Sequence, residues 1–115
     1  MNARTHLRLQ VLIGSCGYGQ GALREALALP DPELEAAVRI AGLLGAQALS
    51  LPWLELPFVS PFGTVSVVPW GQRRVGEGFW IGQGNGWELH DTACALRAAL
   101  LVVGRLGPGA EAREW

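Results

Sequence analysis

Pro52, Pro57 and Pro61 stand within ten residues of one another, in the segment Leu51-Pro-Trp-Leu-Glu-Leu-Pro-Phe-Val-Ser-Pro61. Each proline fixes φ and removes a backbone donor, so no helix runs through the middle of this chain. An extended or edge segment is expected there, with separate elements on either side.

On the N-terminal side, Leu7, Leu9, Val11 and Ile13 alternate with Arg8, Gln10 and Leu12, the period-two pattern of a strand with one buried face. Gly14, Gly17, Gly19 and Gly21 follow within eight residues and predict a tight, backbone-exposed loop. Ala22 to Leu29 reads as a short helix stopped by Pro30. Asp31-Pro32 restarts a helix, with aspartate as the cap, proline in the first turn, and Glu33 and Glu35 at the positive end of the dipole. Leu34, Ala37, Val38, Ala41 and Leu44 then share one helical face. The run Ala46 to Leu51 fits either helix or strand.

Beyond the prolines, Thr64 to Val68 and Val75 to Ile81 are β-prone and predict a hairpin turning at Gly71-Gln72-Arg73-Arg74. Gly82-Gln83-Gly84-Asn85-Gly86 breaks the sheet. A last helix is expected from near Trp87 or Asp91 to about Val103, burying Leu89, Ala93, Leu96, Leu100 and Val103, with Gly104 and Gly107-Pro108-Gly109 ending it. This order predicts an α+β fold: a small antiparallel or mixed sheet of three to four strands with about three helices packed on one face. Residues 1–109 form a single domain and 110–115 a fraying tail.

Composition bears on what such a domain does. Half of the 115 residues are hydrophobic and only 17% are charged, below the roughly 25% of an average soluble domain. A domain this small cannot hide that much apolar surface, and a second copy of itself is the simplest cover, so a homo-oligomer is expected, with another protein as the other candidate partner. A net charge of −1 supplies no field for nucleic acid or an anionic membrane. All nine basic residues are arginine, which excludes Schiff-base chemistry and a lysine general base. No run of about 18 apolar residues spans a membrane, and the N-terminal apolar stretch, broken by Arg8 and Gln10, is too short for a signal-peptide core. A cytoplasmic location follows, in which Cys16 and Cys94, without CxxC spacing, are thiols.

The glycine loop is the first place where chemistry could reside. Glycines before a helix turn backbone N–H groups toward one point, so Gly17, Gly19 and Gly21 are candidate anion ligands; close packing is the plainer role of the same turn. Gly17 to Ala22 fits G-x-G-x-x-A, but the helix from Pro32 stands where a dinucleotide fold needs its second strand, and no Gly-Lys-Ser/Thr exists for a P-loop. Cys16 lies in this loop, where a helix dipole would lower its pKa. Gly14-Ser15-Cys16-Gly17-Tyr18 misses the nucleophile elbow because tyrosine replaces its second glycine, and a cysteine-phosphatase arginine is absent at Ala22. His90 and Cys94, four apart on the expected last helix, share a face suited to a metal pair or a base beside a thiol, although packing and capping are the commoner roles of such residues.

Trp53, Phe58, Phe62, Trp70 and Trp80 gather in the proline-rich segment and hairpin near Arg73 and Arg74. Part of this set belongs to a core. Tryptophan and arginine are also enriched at interfaces, so Trp53, Phe58, Phe62, Trp70, Arg73 and Arg74 are the expected interface residues. The leading functional expectation is a non-catalytic binding or assembly module that requires no metal and no cofactor. The alternative is a small thiol-dependent or anion-binding enzyme centred on Gly14–Gly21, with Cys16 as nucleophile and His90 as general base. A metal-binding regulator using His90 and Cys94 is the third.

Overall fold

The structure is a computed structural model that describes residues 3–15, 20–50, 54–70, 78–90 and 94–113; the side chains of 8, 11–15, 20, 46–50 and 70 are outside that description. The fold is α+β, and its open sheet is entirely antiparallel. Helices α1 (Ala3–Ser15), α2 (Gln20–Leu27) and α3 (Asp31–Ser50) precede strands β1 (Leu56–Ser60), β2 (Gly63–Trp70), β3 (Gly78–Gln83) and β4 (Gly86–His90); α4 (Ala95–Leu106) and the two-residue β5 (Glu111–Ala112) complete the chain. The strand order is β4-β3-β2-β1-β5. Among the described residues, four helices and five strands thus replace the three and three to four expected.

The N-terminal strand is overturned: those residues form α1. Thr5 and Leu9, four apart, are buried, whereas Leu7 between them is 63% exposed. A strand would have put Leu7 and Leu9 on the same face. Leu, Arg and Gln are good helix formers, and that preference outweighs the short alternation.

In α2, Ala22 and Ala26 point inward. The helix tightens at its end, where the Leu29 N–H reaches the Ala26 carbonyl, and Pro30 stops it. The Pro30 carbonyl in turn accepts the first bond of α3, from the Leu34 N–H at 3.0 Å. Pro30 is therefore the cap, one residue before the expected Asp31. Asp31, Pro32 and Glu33 fill the first turn, where proline's missing N–H is harmless and the carboxylates meet the positive end of the dipole. Leu34, Ala37, Val38, Ala41 and Leu44 are all buried on a shared face, joined by Ala36 and Ile40. α3 is thus covered on more than one side, and it continues helically through Ala46 to Ser50.

The helices α3 and α4 pack on each other and onto β1 and β2, while α1 and α2 pack onto α3 and α4. The register fixes which sheet residues meet them. Leu56 and Phe58 lie beside Val67 and Val65, and Val67 beside Ile81, and all are buried with Phe79 against the helices. Alternate residues Pro57, Val59, Ser66, Val68 and Trp80 face the other way and are half-buried.

Two prolines inside strands obey the ladder. The two-residue turn Pro61-Phe62 makes Ser60↔Gly63 a hydrogen-bonded pair, so alternate residues of β1 direct their backbone groups away from β2. Pro57 is one of these; its carbonyl accepts the Arg113 N–H at 2.8 Å, and its absent N–H lies on the lightly paired β5 side. Pro69 of β2 lies past the end of β1, whose pairing stops at Leu56↔Val67. Neither proline deprives a neighbouring strand of a donor.

Gly82 to Gly86 is a hairpin rather than the end of the sheet. Gly84 adopts φ +62°, as the first residue of a tight two-residue turn with Asn85, and β4 returns along β3. Trp87, Leu89 and His90, expected at the start of the last helix, therefore belong to a strand. α4 begins after Cys94, whose carbonyl accepts N–H bonds from Arg97 and Ala98. It ends at Gly107, whose φ of +79° favours glycine and whose N–H donates to the Val103 carbonyl at 2.7 Å.

The segment 110–113 returns to the sheet. Ala110 is fully buried, its carbonyl accepts a 2.6 Å bond from Arg39 Nη2 on α3, and β5 pairs with β1 at Phe58 and Val59. Among the described residues no helix is long and apolar enough to cross a membrane.

Leu44 and Leu96, fully buried on α3 and α4, test this packing. Either change to alanine is expected to cost about 2–5 kcal/mol of unfolding free energy, read from the midpoint of a urea titration. A loss below about 1 kcal/mol at both positions would contradict the core described.

Candidate functional site

Cys16, Gly17, Gly19, Trp53, Arg73 and Arg74 lie outside the described residues. Gly21 sits in the first turn of α2, where a Cβ would meet Arg97 Nη2 at 3.5 Å. Arg97 is itself committed to Glu25 of the same helix by a direct ion pair. Phe58 was expected at an interface but is fully buried, because its position in β1 points it into the helix layer. Phe62, in the β1–β2 turn, is 77% exposed and rests beside Gly107. Trp70 ends β2 opposite Gly78.

His90 and Cys94 do not share a helix face. His90 ends β4, opposite Phe79, and Cys94 is buried at the cap of α4. The imidazole of His90 instead approaches Glu88, two residues away on the same face of the strand, with Nε2 3.3 Å from Oε2. Arg105 reaches down from α4 and donates from Nη2 to the same oxygen at 2.6 Å. The Arg105 guanidinium, and secondarily His90, hold the Glu88 carboxyl below its ordinary 4.5. This trio ties α4 to the end strand. It contains no nucleophile, and among the described residues no three His, Cys, Asp or Glu side chains converge as metal ligands.

The other side of the same hairpin is apolar. Gly82 and Trp87 are cross-strand partners, and a Cβ on Gly82 would fall 2.8 Å from Cδ2, Cε3 and Cζ3 of the indole. Only glycine lets the Trp87 ring lie against the sheet there. Leu89 is paired with Trp80, and Trp80 with Val68. A continuous strip of Val68, Trp80, Leu89 and Trp87 therefore crosses three strands on the face opposite the helices. Trp87 remains 49% exposed and Leu89 46% exposed. The sequence reading placed both on a helix; the signal that would have found them is Gly84-Asn85-Gly86, a hairpin turn followed by the alternation Trp-Glu-Leu-His.

Between α4 and the end strand lies a shallow cleft of about 440 Å³, lined by Ile81, Gln83, Gly86, Trp87, Glu88 and Arg105. No protein-family model matches the chain, and comparison with curated proteins and with solved structures found none similar to it.

The low pKa of Glu88 fixes the sign of a pH effect. A carboxyl whose folded pKa is depressed contributes stability above its unfolded pKa, near 4.5, and that contribution is lost as pH falls through the lower folded value. Glu88→Gln is expected to lower the thermal midpoint at neutral pH and to narrow its gap from the unmodified chain as melts are taken below 4.5. A gap that stays constant across that range would mean that Glu88 gains nothing from Arg105.

Proposed function

We propose that this chain is a non-catalytic binding or assembly module that forms a homo-oligomer through the helix-free side of its sheet and the β3–β4 hairpin. The carrying observation is the strip Val68–Trp80–Leu89–Trp87: apolar side chains aligned across three strands on a face that the described helices leave uncovered. Large aromatic and aliphatic groups in that position bury area at little entropic cost when a partner arrives. The composition argues in the same direction, because half the residues are hydrophobic in a chain with little interior to hold them.

The thiol-centred alternative gains no support from His90, whose imidazole is engaged with Glu88. With Arg97 paired to Glu25, the cation nearest Gly21 is already neutralised by a side chain of its own helix layer.

Native mass spectrometry and sedimentation velocity are the direct tests. The unmodified chain is expected as a dimer or larger assembly at micromolar concentration, and Trp87→Lys and Leu89→Lys are expected to shift it to monomer, since each places a charge in the strip. An oligomer of unchanged mass in both variants would rule out this face, and a monomer in the unmodified chain would rule out self-assembly altogether.

A further inference from the structure

Resting on that reading, we propose that the partner is a second copy of this chain, joined edge to edge by antiparallel pairing of β4 with β4 about a two-fold axis through Glu88. The two-residue turn at Gly84-Asn85 makes Gln83↔Gly86 a hydrogen-bonded pair. Gly86, Glu88 and His90 therefore turn their backbone groups toward β3, and Trp87 and Leu89 turn theirs outward. Among the described residues, no strand pairs with that outer side. The same alternation, applied to β1, correctly places the Pro57 carbonyl on the side where Arg113 meets it.

Edge strands are ordinarily blunted by lysine, proline, a bulge or a covering element. The two edges of this sheet differ. Beside β5 stands Pro57, without a donor. In β4, Gly-Trp-Glu-Leu-His, there is no proline and no lysine, and its register with β3 runs without a bulge from Gln83↔Gly86 to Phe79↔His90. Among the described residues the helix layer is centred away from this edge: the helices pack over β1 and β2, and the Arg105 side chain reaches Glu88 of β4 beside the cleft along Gly86, Trp87 and Glu88.

A two-fold perpendicular to the sheet keeps each residue's face, so outward-directed groups must meet outward-directed groups. An axis through Glu88 pairs all five residues of the strand. Trp87 then exchanges both its backbone bonds with Leu89 of the second copy, and Leu89 with Trp87. Shifting the axis to Trp87 or Leu89 pushes part of the strand past its partner's end. In the Glu88 register the two Trp87–Leu89 pairs are aromatic–aliphatic neighbours on the helix-free face, which joins the two apolar strips into one. The two Glu88 carboxylates face each other on the opposite side. Each carries its own Arg105 at 2.6 Å, which offsets their repulsion. The interface is self-complementary, as a closed two-fold dimer requires.

Sedimentation equilibrium on the full chain, unmodified and as Leu89→Ala or Leu89→Pro, separates backbone pairing from side-chain contact. The Leu89 N–H points away from β3, so proline there removes a donor to the second copy and none from the hairpin. The expected results are a dimer, a dimer whose dissociation constant rises about tenfold in Leu89→Ala, and a monomer in Leu89→Pro that retains the parent circular dichroism. Should Leu89→Pro not fold, Glu88→Cys in a Cys16→Ser, Cys94→Ala background decides. It is expected to form an intermolecular disulfide on mild oxidation, while Gln83→Cys on β3 does not. A wild-type oligomer that Glu88→Cys fails to cross-link would overturn the edge geometry and leave the proposed function standing. A wild-type chain that is monomeric at every concentration would overturn both.

Discussion

The packing of α3 and α4 against each other and against the inner face of β1 and β2 is the constraint on which the rest of this molecule depends. Phe58, Val65, Val67 and Ile81 on the strands, and Leu44, Leu96, Val102 and Leu106 on the helices, are all fully buried in one cluster. Alanines at 37, 41, 98 and 99 share that cluster, and their small side chains let the two helices approach closely. Because the apolar residues of α3 extend beyond one face, α1 and α2 have a surface to cover. Among the described residues the meander has no equivalent on its other side. A two-faced antiparallel sheet that receives helices on one face must either be polar on the other or give that face to something else.

Arginine performs the joining in this fold. Arg39 ties α3 to the C-terminal segment, Arg97 ties α4 to α2, and Arg105 ties α4 to β4. Each link spans elements that hydrophobic contact alone would leave to slide. A planar guanidinium with several fixed donors suits such a role better than a flexible ammonium, which gives a structural reading to the absence of lysine from the sequence. Surface pairs of this type contribute little to stability one by one, and their effect here is on geometry.

What was legible in the sequence was the part governed by strong local chemistry. Proline exclusion located β1, and the Asp31-Pro32 restart with its apolar periodicity gave the buried face of α3 residue by residue. The first helix was missed because Leu7 to Ile13 alternates over seven residues, a window too short to separate a strand from a helix whose far side is also apolar. The β3–β4 hairpin is hidden because Gly82-Gln83-Gly84-Asn85-Gly86 reads as a breaker, although a glycine with positive φ is also what a tight hairpin needs. That one reading puts Trp87, Leu89 and His90 on a helix and pairs His90 with Cys94, two residues that the fold places on a strand and at a helix cap. The burial of Phe58 has a different origin: strand parity, invisible without the register, decides which side of β1 its ring takes.

The contact between Gly82 and Trp87 couples two positions on neighbouring strands. With tryptophan at 87, position 82 has no room for any side chain, and with a small residue at 87 the glycine would lose its purpose and weaken the centre of a strand. The two positions are therefore expected to change together or not at all as the sequence diverges. Among descendants of this fold, glycine facing an aromatic across this hairpin would mark the chains that keep the face, and loss of both at once would mark those that have abandoned it.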